Sequence, residues 1–132
     1  MNLLDTNVCV DVLRGTHPTL ARRIAAVGAD QIAVSAITAG ELFTGALKSS
    51  RVAESIRLTE LLLSGMTIFD FNAEASRTYG LIRSRLEQRG QKIGDMDTLI
   101  AAHAVTLDAV LVTRNTREFS RVENLQIEDW TR

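Results

Sequence analysis

Acidic residues lie next to short apolar segments at several points in this sequence. Asp5 directly follows the apolar residues Leu3 and Leu4, and the residues after it have a helix-like apolar pattern. Aspartate is disfavoured in strands, and burial of a lone carboxylate is costly. Asp5 is therefore either the cap of the next helix or part of a polar site, and its own neighbourhood does not decide between the two.

Two other acids each have a structural explanation when taken alone. Thr38-Ala39-Gly40-Glu41 matches the capping box, in which a glutamate returns to the amide of the N-cap residue. Asp95 follows a glycine and can cap a helix, which would put Asp97 in the first turn, where the helix dipole stabilises acids.

The remaining polar residues also have ordinary interpretations. Asn115 and Glu118 follow a predicted strand and can belong to a loop and a short helix. Asp11, within the first predicted helix, is interpreted as an ordinary helical residue with no role in a site.

The joint placement of the acids favours a site. Asp5 and the Asn115/Glu118 pair follow predicted strands, whereas Glu41 and Asp97 each open a predicted helix, and a parallel sheet would bring all these positions to one edge. Carboxylates gathered in this way raise one another's pKa. A hard divalent cation, Mg²⁺ or Mn²⁺, relieves that repulsion and is preferred by oxygen ligands. Such a cation suits hydrolysis of a phosphodiester.

The elements that must position these acids alternate along the chain. The helical pattern is clearest in the apolar series Ala75, Tyr79, Ile82 and Leu86. Short apolar runs separated by helices predict an α/β/α sandwich around a mostly parallel sheet of four to five strands, with the strands buried on both faces. The predicted strands are residues 2–4, 31–34, 66–69, 109–113 and 125–127, and the predicted helices are residues 8–13, 19–27, 39–47, 52–63, 75–86, 99–107 and a short one before the last strand.

Composition limits the classes of protein. A chain of 132 residues with 45% hydrophobic residues and a single proline suits one domain, residues 1–132. The net charge of −1 gives no sign of nucleic-acid binding, although a basic rim could be masked by a cluster of acids. With no signal peptide, no apolar run of membrane-spanning length and only one cysteine, we expect a soluble cytoplasmic protein.

Other catalytic chemistries fit less well. Cys9 lies in an apolar helical pattern and is expected in the core, as is a hydrogen-bonded His103, whereas His17 is expected to be exposed. These positions disfavour a zinc site or a catalytic triad, and no dinucleotide- or phosphate-binding glycine motif is present. A phosphoryl-accepting domain would need paired acids after the first strand, and Asn7 stands where a D-x-D-x-T phosphatase has its second aspartate.

Four segments, in order, resemble a known family. LLDTNV, SAITAGELFTGA, GDMDTLIAAHA and LVTRNTREFSRVENLQIEDW are similar to those of PIN-domain ribonucleases, and more closely to the VapC toxins of toxin–antitoxin pairs. The resemblance spans residues 1–130.

The resemblance implies roles for individual residues. Asp5 and Asp97 would be metal ligands, direct or through water, and Glu41 a further ligand or a positioner of the metal's waters. Many relatives have aspartate where this chain has Asn115, so Glu118 is the candidate for the missing carboxylate. The supporting residues would be Thr6, Asn7, Thr113 and Asp95.

The resemblance also implies a substrate and partners. The chain would be an Mg²⁺- or Mn²⁺-dependent endoribonuclease, acting on RNA such as tRNA, blocked by a VapB antitoxin and commonly homodimeric. Residues 39–47 and 52–63 could form the antitoxin groove. A degenerate PIN fold that only binds RNA or protein is the alternative, because Asn115 carries no charge. The candidate phosphate contacts are Lys48, Arg51, Arg85, Arg89, Lys92, Arg114 and Arg117.

Overall fold

The fold alternates strands and helices along the whole chain. A computed structural model describes all 132 residues, Met1–Arg132. The strands are β1 (Asn2–Leu4), β2 (Ile32–Ser35), β3 (Thr67–Phe69), β4 (Val110–Val112) and β5 (Gln126–Glu128). The helices are α1 (Thr6–Arg14), α2 (Pro18–Val27), α3 (Ala36–Leu47), α4 (Val52–Ser64), α5 (Ala73–Gln88), α6 (Asp95–Leu107) and α7 (Thr116–Phe119).

All five strands belong to one parallel sheet in the order β3-β2-β1-β4-β5. The central strand, β1, pairs with β2 on one side and β4 on the other. The segments that follow β1, β2 and β4 therefore start from the same edge of the sheet, as the sequence predicted.

Side chains that alternate along the strands build a core on each face of the sheet. Leu3 and Leu111 pack with α5 and α6, whereas Leu4 and Val112 pack with α1 to α4. The predicted α/β/α sandwich is therefore confirmed. The expectation that every strand is buried on both faces is wrong for the edge strand β3, where Thr67 and Ile68 are exposed.

Five helices begin earlier than predicted, and in two of them, α1 and α3, the cause is a capping residue at the end of a strand or just after it. Asp5 caps α1, which begins at Thr6 rather than at residue 8, and Ser35 caps α3, which begins at Ala36 rather than at residue 39. The chain passes from strand to helix without a loop at both places. No helix is long and apolar enough to cross a membrane.

Cys9 and His103 lie in the core, as expected. Burial raises the pKa of the Cys9 thiol to about 12, which removes it as a nucleophile near neutral pH. His103 Nδ1 is 2.8 Å from Ser35 Oγ, and burial lowers the pKa of the imidazole. His17 is only partly exposed, since its Nε2 lies 3.9 Å from Asp11 Oδ2.

Candidate active site

Asp5 is held at the carboxyl end of β1 by two hydrogen bonds. Its Oδ1 accepts from the Thr6 N–H at 2.8 Å, and its Oδ2 accepts from Thr113 Oγ1 at 2.7 Å, across the junction with β4. The residue is 2% exposed, and burial raises its pKa against the opposing effect of these donors. Asp5 therefore caps α1 and also presents a fixed carboxylate at the sheet edge.

Glu41 is not part of a capping box. Since α3 begins at Ala36, Thr38 lies inside the helix and Glu41 in its second turn. Thr6 Oγ1 donates to Glu41 Oε1 at 2.6 Å and also lies 3.1 Å from Thr38 Oγ1. The threonine after Asp5 thus links the first and second acids.

Asp97 faces the same acids from the first turn of α6. Gly94 is the N-cap, and the side chain of Asp95 makes no capping bond, so the expected cap at Asp95 is wrong. Burial and the charges of Asp5, Glu118 and Glu41 raise the pKa of Asp97 to about 6. Burial is the larger cause of that shift, and the neighbouring carboxylates add to it.

Glu118 and Asn115, the two candidates for the fourth acidic position, make different contributions. The charge of Glu118 contributes to the raised pKa of Asp97. Asn115 acts through its backbone, whose N–H donates to Thr113 Oγ1 at 3.0 Å and so orients the hydroxyl that holds Asp5. Glu118 therefore lies near Asp97, and Asn115 supports Asp5 through Thr113, but neither side chain lines the cavity that Asp5, Glu41 and Asp97 share. Asp95 is exposed and makes no such contact.

These side chains meet at an open cavity of about 340 Å³. The predicted Asp5, Glu41 and Asp97 line it together, and so do three residues that the sequence interpretation did not place there. The lining residues are Asp5, Thr6, Asn7, Val10, Asp11, Arg14, Glu41, Asp97 and Arg114.

Asp11 is not the ordinary helical residue that the sequence suggested. Its side chain is buried, with 6% of the residue exposed, and it accepts hydrogen bonds from Nε and Nη2 of Arg114, the latter at 3.1 Å. Asn7, Asp11 and Arg14 are spaced i, i+4 and i+7 in α1, which puts them on one helix face. That periodicity, counted from the motif residue Asn7, is the signal that could have identified Asp11 and Arg14.

Of the seven basic residues predicted to contact phosphate, only Arg114 lines this cavity. Arg89 is instead paired with Glu123 at 2.9 Å, and Lys92 offers its carbonyl to Arg121.

The donor chemistry suits a hard cation. The acids and Asn7 offer carboxylate and amide oxygens as ligands, and no histidine or cysteine lines the cavity. Asn7 Oδ1 is buried without a hydrogen-bond partner, so it is free to accept from a bound water. No three acidic, histidine or cysteine side chains lie together in an arrangement that would hold a metal ion by themselves. Mg²⁺, which is usually held by one or two carboxylates and several waters, fits this arrangement.

A second cavity, also of about 340 Å³, adjoins the first between α1, α3 and α4. Val10, Arg14 and Glu41 line both cavities. The walls of the second also include Leu13, Leu42, Gly45, Ala46 and Leu58. We call it the α3–α4 groove.

Comparison with known proteins identifies the family. The family model described as PIN domain matches residues 3–125. Similar proteins include Ribonuclease VapC2 of Rickettsia felis, 37% identical over 97% of this chain and 96% of that protein, and the tRNA(fMet)-specific endonuclease VapC of Shigella flexneri, 34% identical over 98% and 97%.

Solved structures agree with this result. The crystal structure of VapBC2 from Rickettsia felis bound to a promoter DNA fragment superposes with a TM-score of 0.93 at 37% identity, over 98% of both chains. DNA-bound VapBC from Salmonella typhimurium gives 0.94 at 32% identity, over 98% of this chain and 97% of that one. This chain belongs to the PIN domain family, and within it to the VapC group.

Proposed function

We propose that this protein is a metal-dependent endoribonuclease toxin that hydrolyses RNA phosphodiester bonds at the cavity of Asp5, Glu41 and Asp97. The observation that carries the proposal is that Asp5, Glu41 and Asp97, which come from three different segments, line one cavity, where Thr6 hydrogen-bonds to both Asp5 and Glu41. The names of the relatives, ribonuclease and tRNA endonuclease, support RNA as the substrate and tRNA as its class.

Asp5 and Asp97 would hold the cation, and Glu41 would orient its waters. Mg²⁺ or Mn²⁺ bound there would polarise a phosphoryl oxygen and supply a hydroxide near neutral pH. Hydrogen bonds from the Thr6 N–H and the Thr113 hydroxyl hold the Asp5 carboxylate in a fixed orientation. Glu41 accepts a hydrogen bond from the Thr6 hydroxyl at Oε1, which leaves Oε2 available to accept from a water.

The protonation of Asp97 sets a lower pH limit for this function. With a pKa of about 6 in the metal-free protein, Asp97 is largely protonated at pH 5 and cannot serve as an anionic ligand. Cation binding must therefore displace that proton in weakly acidic solution. The negative charge of Glu118 contributes to this raised pKa of Asp97.

The test is cleavage of RNA by purified protein with and without divalent cation. We expect cleavage with Mg²⁺ or Mn²⁺, none with excess chelator, and a loss of at least about 100-fold in Asp97→Asn, since the variant keeps the shape but loses the anion. Asp95→Asn, two residues away and exposed, is the matched control. RNA binding without cleavage by the unaltered protein would instead indicate a non-cleaving binding module.

We further propose a cognate VapB-type antitoxin as the inhibitory partner. Its support is the likeness to structures described as VapBC complexes and the α3–α4 groove, which opens into the carboxylate cavity. A partner segment in this groove would cover Glu41 and Arg14. We also expect a homodimer, which light scattering of the purified chain would test.

A further inference from the structure

Arg114 is held in one orientation by Asp11. Two nitrogens of its guanidinium, Nε and Nη2, bond to the two carboxylate oxygens of Asp11, which is buried. Such a bidentate pair fixes the plane of the guanidinium as well as its position. The Arg114 side chain nevertheless remains 40% exposed, so only one side of it is taken up by the pair.

The other side of Arg114 faces the carboxylate cavity. Its Nη1 donates to no group of the protein, and Arg114 lines the cavity together with Asp5 and Asp97. The positive charge of Arg114 also acts on Asp5, where it opposes the larger effect of burial, which raises the pKa of that carboxyl. Arg14 lines the same cavity from the last turn of α1 and forms no salt bridge. Two guanidinium groups with unused donors therefore border an otherwise acidic cavity.

A phosphodiester entering this cavity would be repelled by its carboxylates unless cations also faced it. Arginine suits this task, because its planar set of donors matches the oxygens of a phosphate and its charge persists at any working pH. A purely structural Asp11–Arg114 pair would not need a free donor on the cavity side, nor an unpaired Arg14 beside it.

We propose that Arg114 binds the RNA phosphate at the carboxylate cavity through Nη1, that Arg14 binds an adjacent phosphate, and that Asp11 is the positioning residue for Arg114. This inference rests on the proposed function for its substrate. It assigns to α1 a phosphate-binding face formed by Asp11, Arg14 and the tethered Arg114.

The first test measures metal-free binding of a short fluorescein-labelled single-stranded RNA by anisotropy across a range of salt. We expect Arg14→Ala and Arg114→Lys to differ: Arg14→Ala lowers the slope of log K against log salt by about 0.7, the value for one lost phosphate contact. Arg114→Lys keeps the slope but weakens binding, because lysine keeps the charge and loses the fork. Arg77→Ala, an exposed arginine of α5 outside the cavity, is the matched control and should leave both quantities unchanged.

The second test separates positioning from folding. In Asp11→Asn, Arg114 keeps its charge but loses its bidentate partner, so we expect KM for RNA cleavage to rise about tenfold, with kcat within about twofold and the salt slope unchanged. The melting temperature is recorded for each variant. A KM that stays at the unaltered value, or equal effects of Arg14→Ala and Arg77→Ala, would overturn the inference.

The two proposals fail in different ways. If the unaltered protein binds RNA with the expected salt dependence and does not cleave it with any divalent cation, the phosphate contacts stand and the proposed enzymatic function fails. If it cleaves RNA and neither Arg14→Ala nor Arg114→Lys alters KM or binding, the proposed function stands and this inference fails.

Discussion

Two threonine hydroxyls hold the carboxylates of the site in place: Thr6 donates to Glu41, and Thr113 donates to Asp5. Thr113 is fully buried, and its hydroxyl donates to Asp5 while it accepts from the backbone of Asn115. Each hydroxyl hydrogen bond to a carboxylate favours the charged form. Thr113 thus partly offsets the effect of burial on the pKa of Asp5.

Thr113→Val should raise the pKa of Asp5 further, because the donor to its charged form is removed and the shape is nearly kept. We expect cleavage at pH 7 to fall about tenfold and the acidic limb of the pH–rate profile to move to higher pH. Thr106→Val, which removes a threonine pair with Thr78 remote from the cavity, is the control. A profile identical to that of the unaltered protein would contradict this role.

Asp97 should oppose folding in the metal-free protein near neutral pH. Its pKa is about 6 in the folded chain against an ordinary 3.8, so the folded state binds the proton more tightly. The resulting stabilisation is complete below the ordinary pKa and is lost as the pH rises through 6. At pH 7.5 the charged side chain is therefore a net cost.

Asp97→Asn should accordingly raise the free energy of unfolding in chelator at pH 7.5 by on the order of 1 kcal/mol, once solvent screening is allowed for. The gain should vanish toward pH 4, where Asp97 is protonated. Denaturant melts at the two pH values measure it, and added Mg²⁺ should stabilise the unaltered protein more than the variant. A variant less stable than the original at pH 7.5 would show that the acids do not repel one another.

Sequence predicted some of these residues better than others. Asp5, Glu41 and Asp97 could be found because each lies close to a strand end or a helix start, where local patterns indicate an edge of the sheet. Asp11 is harder to find: its spacing from Asn7 puts it on the same face of α1, but its partner Arg114 is 103 residues away and no local pattern indicates the pair.

At the level of elements, the residue at the strand–helix junction decides where the site's helices begin. Ser35 ends β2, and its hydroxyl accepts from the Ile37 N–H at 3.1 Å. This cap overrides the Thr38-x-x-Glu41 pattern, which matched a capping box by sequence alone. The early start places Glu41 in the second turn of α3, near Thr6.

Ser35→Ala should cost more than an ordinary lost cap. It removes the bond to Ile37 and leaves the buried His103 Nδ1 without its partner, so we expect a loss of about 2–4 kcal/mol. Asn72→Ala removes the cap of α5, whose only side-chain capping bond is to the Ala75 N–H, and should cost about 1 kcal/mol. Equal losses in denaturant melts would show that His103 does not depend on Ser35.

On the scale of the whole molecule, the carboxylate cavity lies at the carboxyl ends of the parallel strands, and the α3–α4 groove opens into it. The apolar runs predicted where the strands lie along the chain, whereas the order β3-β2-β1-β4-β5, with β3 and β5 at the edges, is set by tertiary packing. The α3–α4 groove was expected from two helical segments. Its junction with the carboxylate cavity through Val10, Arg14 and Glu41 depends on packing that the sequence does not encode locally.

Gly45→Leu should separate inhibition from catalysis. Gly45 lines the α3–α4 groove but not the carboxylate cavity, and a Cβ added there meets no atom within 4 Å, so a leucine side chain starts from open space at the wall of the groove. Removal of a helical glycine should itself stabilise α3 by about 0.5–1 kcal/mol. We therefore expect RNA cleavage to persist while inhibition by a VapB-type antitoxin weakens at least about tenfold, because the groove is filled. Gly40→Leu, at an exposed and equally open position of the same helix outside both cavities, should leave inhibition unchanged. Titration of antitoxin into the cleavage assay measures both variants, and unaltered inhibition of Gly45→Leu would place the antitoxin on another surface.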